Sequence, residues 1–304
     1  MKIKYISSML IFGSVGLFVR HIPLPSAQIA LVRGIIGGLV LLAAMALLRK
    51  KISLERIRAD LWVLFFSGIA IGINWIFLFQ AYRYTTIANA TICYYLAPVI
   101  VIFLSPFILK EKLNPLKIGC ILAAVMGIWL MTGFGAAGSY RGENDFIGIL
   151  YGLGAAAFYA SVMILNKFIR HVTDWERTVI QLAFASLSLL PYVLITAIKD
   201  YAPLTITGVI LLLIVGVIHT GFAYFLYFSG LNALKGQTAA LLSYIDPLTA
   251  ILLSAFILSE KMGIWQILGG ILILGGTMLH EMVSERFNPP QSLESQENQN
   301  QFLR

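Results

Sequence analysis

An all-α membrane protein, with ten transmembrane helices arranged as two inverted five-helix repeats, is the fold this sequence predicts. Of its 304 residues 59% are hydrophobic and only 12% charged, whereas soluble domains carry about a quarter charged residues. Apolar stretches long enough to cross roughly 30 Å of hydrocarbon recur along the whole chain. Residues 79–112 also lie over residues 228–261 without a gap, pairing Phe79 with Phe228, Tyr95 with Tyr244, Pro98 with Pro247 and Glu111-Lys112 with Glu260-Lys261. A unit with an odd number of spans, duplicated in one chain, sets its second copy upside down relative to the first.

The spans follow in order. Residues 3–19 come after Lys2 and Lys4, and no small-residue cleavage site closes them, so they read as a span and not a removed signal peptide. Residues 27–48 carry Arg33, and 61–81 carry Asn74 and Trp75. Residues 86–109 contain Pro98, and 114–132 are almost purely apolar with glycines. The second copy repeats the series at 146–166, 176–198, 206–228, 236–258 and 264–283, with Gly276 of the last matching Gly127 of the fifth. Each is read as a helix, because lipid leaves an unpaired backbone amide no partner and the stretches lack the alternation of barrel strands. The resulting organisation is a first repeat over 1–132, an outer linker over 133–145, a second repeat over 146–284 and a disordered cytoplasmic tail over 285–304. The Gly133-Phe134-Gly135-Ala136-Ala137-Gly138 run matches GxGxxG by accident, since it trails out of a span and belongs to no βαβ unit.

The net charge of +8 is placed asymmetrically. With the N-terminus inside, Lys2, Lys4, Arg49, Lys50, Lys51, Arg56 and Arg58 face the cytoplasm, as do Lys110, Lys112, Lys117, Lys167, Arg170, Arg177 and Lys235. The outer side receives Arg20, Arg83, Arg141, Lys199 and Lys261. This bias puts both termini in the cytoplasm of a multi-pass protein of the plasma membrane. Matching loops of the two copies carry opposite bias, as inversion requires. The charge therefore needs no nucleic acid to explain it, and the expected partners are the lipid bilayer and a small-molecule solute, with the chain a monomer or homodimer. Cys93 and Cys120 fall within spans and read as packing residues, and neither a cofactor nor a metal is expected.

Two five-span halves, Arg33 within Leu31-Val32-Arg33-Gly34, and the Lys110-Glu111-Lys112 and Ser259-Glu260-Lys261 motifs after proline-bearing spans resemble the drug/metabolite transporter superfamily, in particular its tandem EamA-type members. The resemblance covers about 3–283. It implies a central cavity between the halves, lined largely by spans 1, 3, 4, 6, 8 and 9, with spans 5 and 10 at the periphery. Its branches handle amino acids, nucleotide sugars, sugar phosphates, purines, cations and drugs, and export is its habit. The first span here lacks the acidic residue through which small four-span members exchange protons for cations.

Asp246 lies near the middle of span 9, where an acid costs about 2.5–3.5 kcal/mol on insertion scales, and its mate in the first repeat is Ala97. That asymmetry favours a coupling or proton role over the alternative, satisfying backbone donors beside Pro247. His219 sits at similar depth in span 8 and is the second proton candidate, set against a neutral packed histidine. Pro98 and Pro247 occupy equivalent positions as candidate hinges, each deleting a backbone hydrogen bond, with static kinks as the alternative. Around them Asn74, Trp75, Tyr94, Tyr95, Tyr224, Ser243 and Tyr244 form a candidate substrate cavity. Arg33 has three readings, namely pairing with Asp246, binding an anionic substrate group, or snorkelling outward, and the structural ones rank first. Glu111 and Glu260 read as structural caps of the helices that follow them.

These features favour a secondary active transporter for an amino acid or similar amphipathic solute, by alternating access and with possible proton coupling. An exporter of organic cations or drugs is the alternative within the class. There is no phosphate-binding loop, no HExxH, no GxSxG and no paired carboxylates, so an intramembrane enzyme is disfavoured, and a non-transporting scaffold gives Asp246 no purpose.

Overall fold

The computed structural model describes residues 2–110, 114–134, 145–197, 205–231, 234 and 236–287. All its regular elements among these are helices. In chain order they are α1 (Lys2–Val19), α2 (Ser26–Leu47), the short α3 (Leu54–Ala59), α4 (Leu61–Tyr84), α5 (Ile87–Tyr94), α6 (Ala97–Ile108) and α7 (Pro115–Trp129). The second half holds α8 (Asp145–Asn166), α9 (Asp174–Ala197), α10 (Ile206–Gly216), α11 (Ala223–Leu231), α12 (Gly236–Ser243), α13 (Ile245–Phe256) and α14 (Ile264–Phe287). Among the described residues eight helical stretches are long and apolar enough to cross a membrane, and two more apolar helices, Leu241–Phe256 and Ile264–His280, are shorter.

Local chemistry sets several helix starts. Thr86 accepts from the Asn89 amide at 3.1 Å to begin α5, Thr205 from Gly208 at 3.1 Å to begin α10, and Asn114 from Lys117 at 2.8 Å, with Pro115 in the first turn of α7. The predicted interruptions of spans 4 and 9 are short, two residues long in the first half and one in the second. The chain leaves α5 through Tyr95 and Leu96 before Pro98 enters the first turn of α6, and it leaves α12 through Tyr244 before Pro247 enters the first turn of α13. Proline has no amide to continue the preceding ladder but is tolerated in an opening turn, so each break falls just before its proline. Two wide π-helical turns, Leu130–Phe134 and Val217–Phe222, extend α7 and join α10 to α11.

The two halves exchange partners. α1 packs against α11 and α13, while its counterpart α8 packs against α4, α5 and α6. Two pairs of equivalent helices also meet directly, α2 with α9 and α7 with α14, and α5 packs against α13. The last contact closes on glycine, where a Cβ at Gly127 would stand 2.7 Å from the Gly269 carbonyl oxygen. Gly127 thus meets Gly269, not its sequence mate Gly276, because a crossing of two helices is set by where their backbones approach. The opposite faces of α7 and α14 expose Leu122, Val125, Trp129, Ile271 and Leu279, as expected of peripheral spans. Helix α14 runs to Phe287, three residues into the stretch read as tail; residues 288–304, most of the linker, and Glu111 lie outside the described residues.

Candidate functional site

Where the broken helices meet, a chamber of about 330 Å³ opens between the halves. Asn74, Trp75, Tyr94, Tyr95, Tyr224, Ser243 and Asp246 all line it. The Tyr95 hydroxyl donates to Asp246 Oδ2 at 2.9 Å, so one break supplies the phenol and the other the carboxylate. Tyr94 stacks on Tyr159 with ring centroids 4.9 Å apart, and both face the chamber. Asn74 also donates to the Ala155 carbonyl at 2.6 Å, tying α4 to α8. Tyr244 is not part of the wall; it is buried behind Tyr95, with ring centroids 6.4 Å apart. Pro98 and Pro247 set the backbone breaks and do not line the space.

Arg33 departs from its expected place. It lines the chamber, 5% exposed, with its guanidinium 4.5 Å above the Trp75 ring and Nε donating to Thr220 Oγ1 at 2.8 Å. It neither snorkels nor forms an ion pair with Asp246 within 4 Å. The helical face of α2, which no cavity lining assigned to spans 1, 3, 4, 6, 8 and 9 includes, decides this. α9 contributes as well, through Arg177, Thr178 and Gln181. Arg177 reads from sequence only as a cytoplasmic charge, and Thr178 and Gln181 carry no signal there, because a lone polar group in a span looks the same whether it meets a neighbour or a cavity. Gln181 Nε2 donates to Ser67 Oγ at 2.6 Å and to Asn166 Oδ1 at 2.7 Å, a buried amide cluster at the chamber's edge.

His219 is not brought to Asp246. Its Nε2 lies 3.0 Å from Ser14 Oγ, its Nδ1 lies 3.3 Å from the Ile214 carbonyl and its ring stands 4.7 Å from Phe18. The preceding residue, Gly13, abuts the Asp246 carbonyl and would set a Cβ 2.7 Å from Thr249. The histidine and the acid thus meet α1 at adjacent residues, the histidine at Ser14 and the backbone of Asp246 at Gly13, and do not meet each other.

The chamber's wall reaches Tyr5 and Met9 at the start of α1, Asn166 at the end of α8, Arg177 at the start of α9 and Tyr227 near the end of α11, all at one end of the bundle. Toward the other end Glu260 bonds across the halves. This carboxylate, 9% exposed, pairs with Arg20, accepts the Ser254 hydroxyl and accepts the Ile87 amide at 3.0 Å. Glu260 therefore does cap a helix, but α5 of the other half and not the helix that follows it; Gln266 takes that place by accepting the Gly263 amide at 2.8 Å. Nearby Asp145 accepts from Thr85, and Arg83 donates to the Leu24 carbonyl. A shallow outer cavity of about 440 Å³ over this cluster is lined by Arg20, Arg83, Asp145 and Lys261.

At the end that the chamber wall reaches, buried carboxylates bind loops. Glu176 accepts the Ser53 amide and Arg56 Nη2, each at 2.8 Å, and the Thr173 amide at 2.9 Å. Asp60 accepts the amides of Arg170, His171 and Val172 at 3.2, 2.8 and 3.2 Å, with His171 Nδ1 at 2.9 Å. Burial would raise the Asp60 carboxyl, but the His171 side chain and the amides outweigh it and hold it below its ordinary value.

Comparison with known proteins gives the same picture. The EamA-like transporter family matches twice, over residues 3–133 and 146–281. An uncharacterized transporter of Bacillus subtilis, YxxF, is 31% identical over 91% of this chain and 88% of its own length. An uncharacterized transporter of Archaeoglobus fulgidus is 29% identical over 90% and 93%. An uncharacterized inner membrane transporter of Salmonella typhimurium, YicL, is 28% identical over 91% and 93%. A solved crystal structure, 20% identical, shares the fold with a TM-score of 0.61 over 92% of this chain and 96% of its own.

Proposed function

The chain belongs to the EamA-like transporter family, and we propose that it is a secondary transporter of the plasma membrane in which two inverted five-helix halves, ten spans in all, rock about the chamber. The single observation that carries this reading is a chamber between the halves whose wall reaches one end of the bundle, at α1, α8, α9 and α11, while Glu260 bonds across the halves toward the other end. Such an arrangement is what one state of an alternating-access cycle requires. The reciprocal packing of α1 and α8 supports the inversion, and the bias of basic residues supports an orientation with both termini, and the end that the chamber wall reaches, inside.

The cargo this chamber suits is a small amphipathic solute such as an amino acid. About 330 Å³ holds a molecule of that size, and tyrosines and a tryptophan supply flat apolar walls with polar edges. Export is the direction the family resemblance implies. Asp246, hydrogen-bonded across the breaks to Tyr95, is the group assigned to bind a proton or the cargo's positive end. Pro98 and Pro247 are assigned as the hinges, since each stands within three residues of this pair.

The test is flux of labelled metabolites in liposomes containing only the purified chain, with an imposed pH gradient. Wild type is expected to speed flux well above empty liposomes and to respond to the gradient, and Asp246→Asn to lose that response. Flux no faster than in empty liposomes overturns the transporter reading; pH-insensitive flux in wild type and variant alike overturns the proton assignment alone.

A further inference from the structure

The chamber contains a buried cation whose binding capacity the fold leaves unspent. Arg33 is 5% exposed, and of its guanidinium nitrogens Nε alone is engaged, by Thr220 Oγ1 at 2.8 Å. Thr220 sits on the π-helical turn and donates its own hydrogen to the Val215 carbonyl at 3.0 Å, which leaves a lone pair to receive Nε. From the other side the guanidinium is held 4.5 Å from the Trp75 ring and 5.6 Å from that of Phe79. These contacts fix the plane of the fork. The two terminal nitrogens have no hydrogen-bond or ion-pair partner among the described residues, while the side chain faces the cavity. Asp246 faces the same cavity but is bonded to Tyr95 and lies beyond ion-pair distance.

We propose that Arg33 is the receptor for an anionic group of the cargo, a carboxylate taken by its two terminal nitrogens, and that the cargo is therefore a zwitterion whose ammonium end lies toward Asp246. This rests on the reading of the chamber as the transport site. A buried guanidinium without a counter-ion is costly, and the cost is relieved if each transport cycle brings the missing anion. The geometry matches a planar carboxylate, which accepts two parallel hydrogen bonds from such a fork. A cargo that is only a cation would instead set its charge against the guanidinium in a low-dielectric space, where repulsion is strong. Arg33 thereby separates zwitterions from the organic cations that Asp246 alone would admit.

The probes are the standard L-amino acids, their methyl esters, which keep the ammonium and lose the anion, and the corresponding decarboxylated amines. Binding is read as the thermal shift of the purified full chain, and transport as tracer flux in liposomes. At least one amino acid is expected to raise the Tm of wild type while its ester and amine do not. Arg33→Gln is expected to weaken that amino acid by at least about 30-fold, the size of losing one partner of a buried charge pair. Arg33→Lys, which keeps the charge and loses the fork, is expected to weaken it by about tenfold and serves as the comparison if Arg33→Gln does not fold. Esters or amines that bind as well as the acids, undiminished affinity in both variants, or no protection by any acid overturns the inference. Amines carried by wild type and Arg33→Gln alike overturn it and leave the transport reading standing, whereas no flux of any probe removes both.

Discussion

At one end of the bundle, the carboxylate of Glu260 joins Arg20, Ser254 and the first amide of α5; at the end that the chamber wall reaches, the carboxylates of Asp60 and Glu176 join the α8–α9 loop and the approach to α3. Both sets cross between the halves, and both use a nearly buried acid to satisfy several donors. What differs is the helices they tie. Glu260 links α1, α5 and α13, which enclose the chamber, so its bonds must break for that end to open. Asp60 and Glu176 link α3 and α4 to the α8–α9 loop and the start of α9. In the proposed cycle, similar chemistry would serve a gate in one place and a fixed frame in the other. The distinction lies in topology, not in bond strength.

The largest expected effect tests the frame. Asp60→Asn removes a charged acceptor of three amides and sets an amide NH₂ among donors, and should cost roughly 2–3 kcal/mol of stability. Because the Asp60 carboxyl is held below its ordinary value when folded, its contribution is present above the unfolded carboxylate range and is lost as pH falls through the folded value. Thermal stability of wild type should therefore drop on acidification to about pH 4 and below by more than that of Asp60→Asn. Accessibility of the Glu260 end should not change in the variant; if it rises, Asp60 belongs to the gate and the comparison fails.

A smaller effect on energy, but a direct one on conformation, is expected at the gate. Glu260→Gln keeps the size of the side chain and loses the charge that holds Arg20 and the α5 amide. Weakening these bonds by about 1.4 kcal/mol shifts the balance between closed and open states about tenfold. A cysteine introduced at Thr86, in a chain whose own Cys93 and Cys120 are buried, reports this through labelling by an impermeant maleimide from outside. Labelling should speed up several-fold in the Glu260→Gln background and not in the Asp60→Asn background. Equal rates in all three would leave Glu260 a mere helix cap.

Much of this architecture was legible because its cause is one-dimensional. Run length against hydrocarbon thickness placed the eight membrane-length helices within a few residues, and Pro98 and Pro247 located the helix breaks, since a missing amide acts on its own neighbours. The helical face was not legible, and the misplacements follow from that. Arg33 ranks as structural because the lining implied by the resemblance leaves out span 2, and nothing in a largely apolar α2 indicates which side meets a cavity. Glu260 matches the helix next in sequence, although the amide it caps belongs to Ile87, a contact that exists only once the halves are packed. Gln181 carries no sequence signal for the same reason, and Arg177 reads only as a cytoplasmic charge.

His219 offers the finest test of the same contrast, between groups that share a predicted depth and groups that share a space. Its imidazole bonds Ser14 of α1 and the Ile214 carbonyl, while the neighbouring Gly13 abuts the Asp246 backbone carbonyl. If pH response resides in the chamber, His219→Gln should retain the flux-against-pH profile of wild type, since glutamine can keep one hydrogen bond and nothing in the chamber wall has changed. The loss should be confined to about 1 kcal/mol of thermal stability from the altered bonds, and Ser14→Ala should cause a similar loss. A displaced pH profile in His219→Gln, with Asp246→Asn unaltered, would move the titrating group to the π-helical turn and make that turn, not the broken helices, the element that senses the proton.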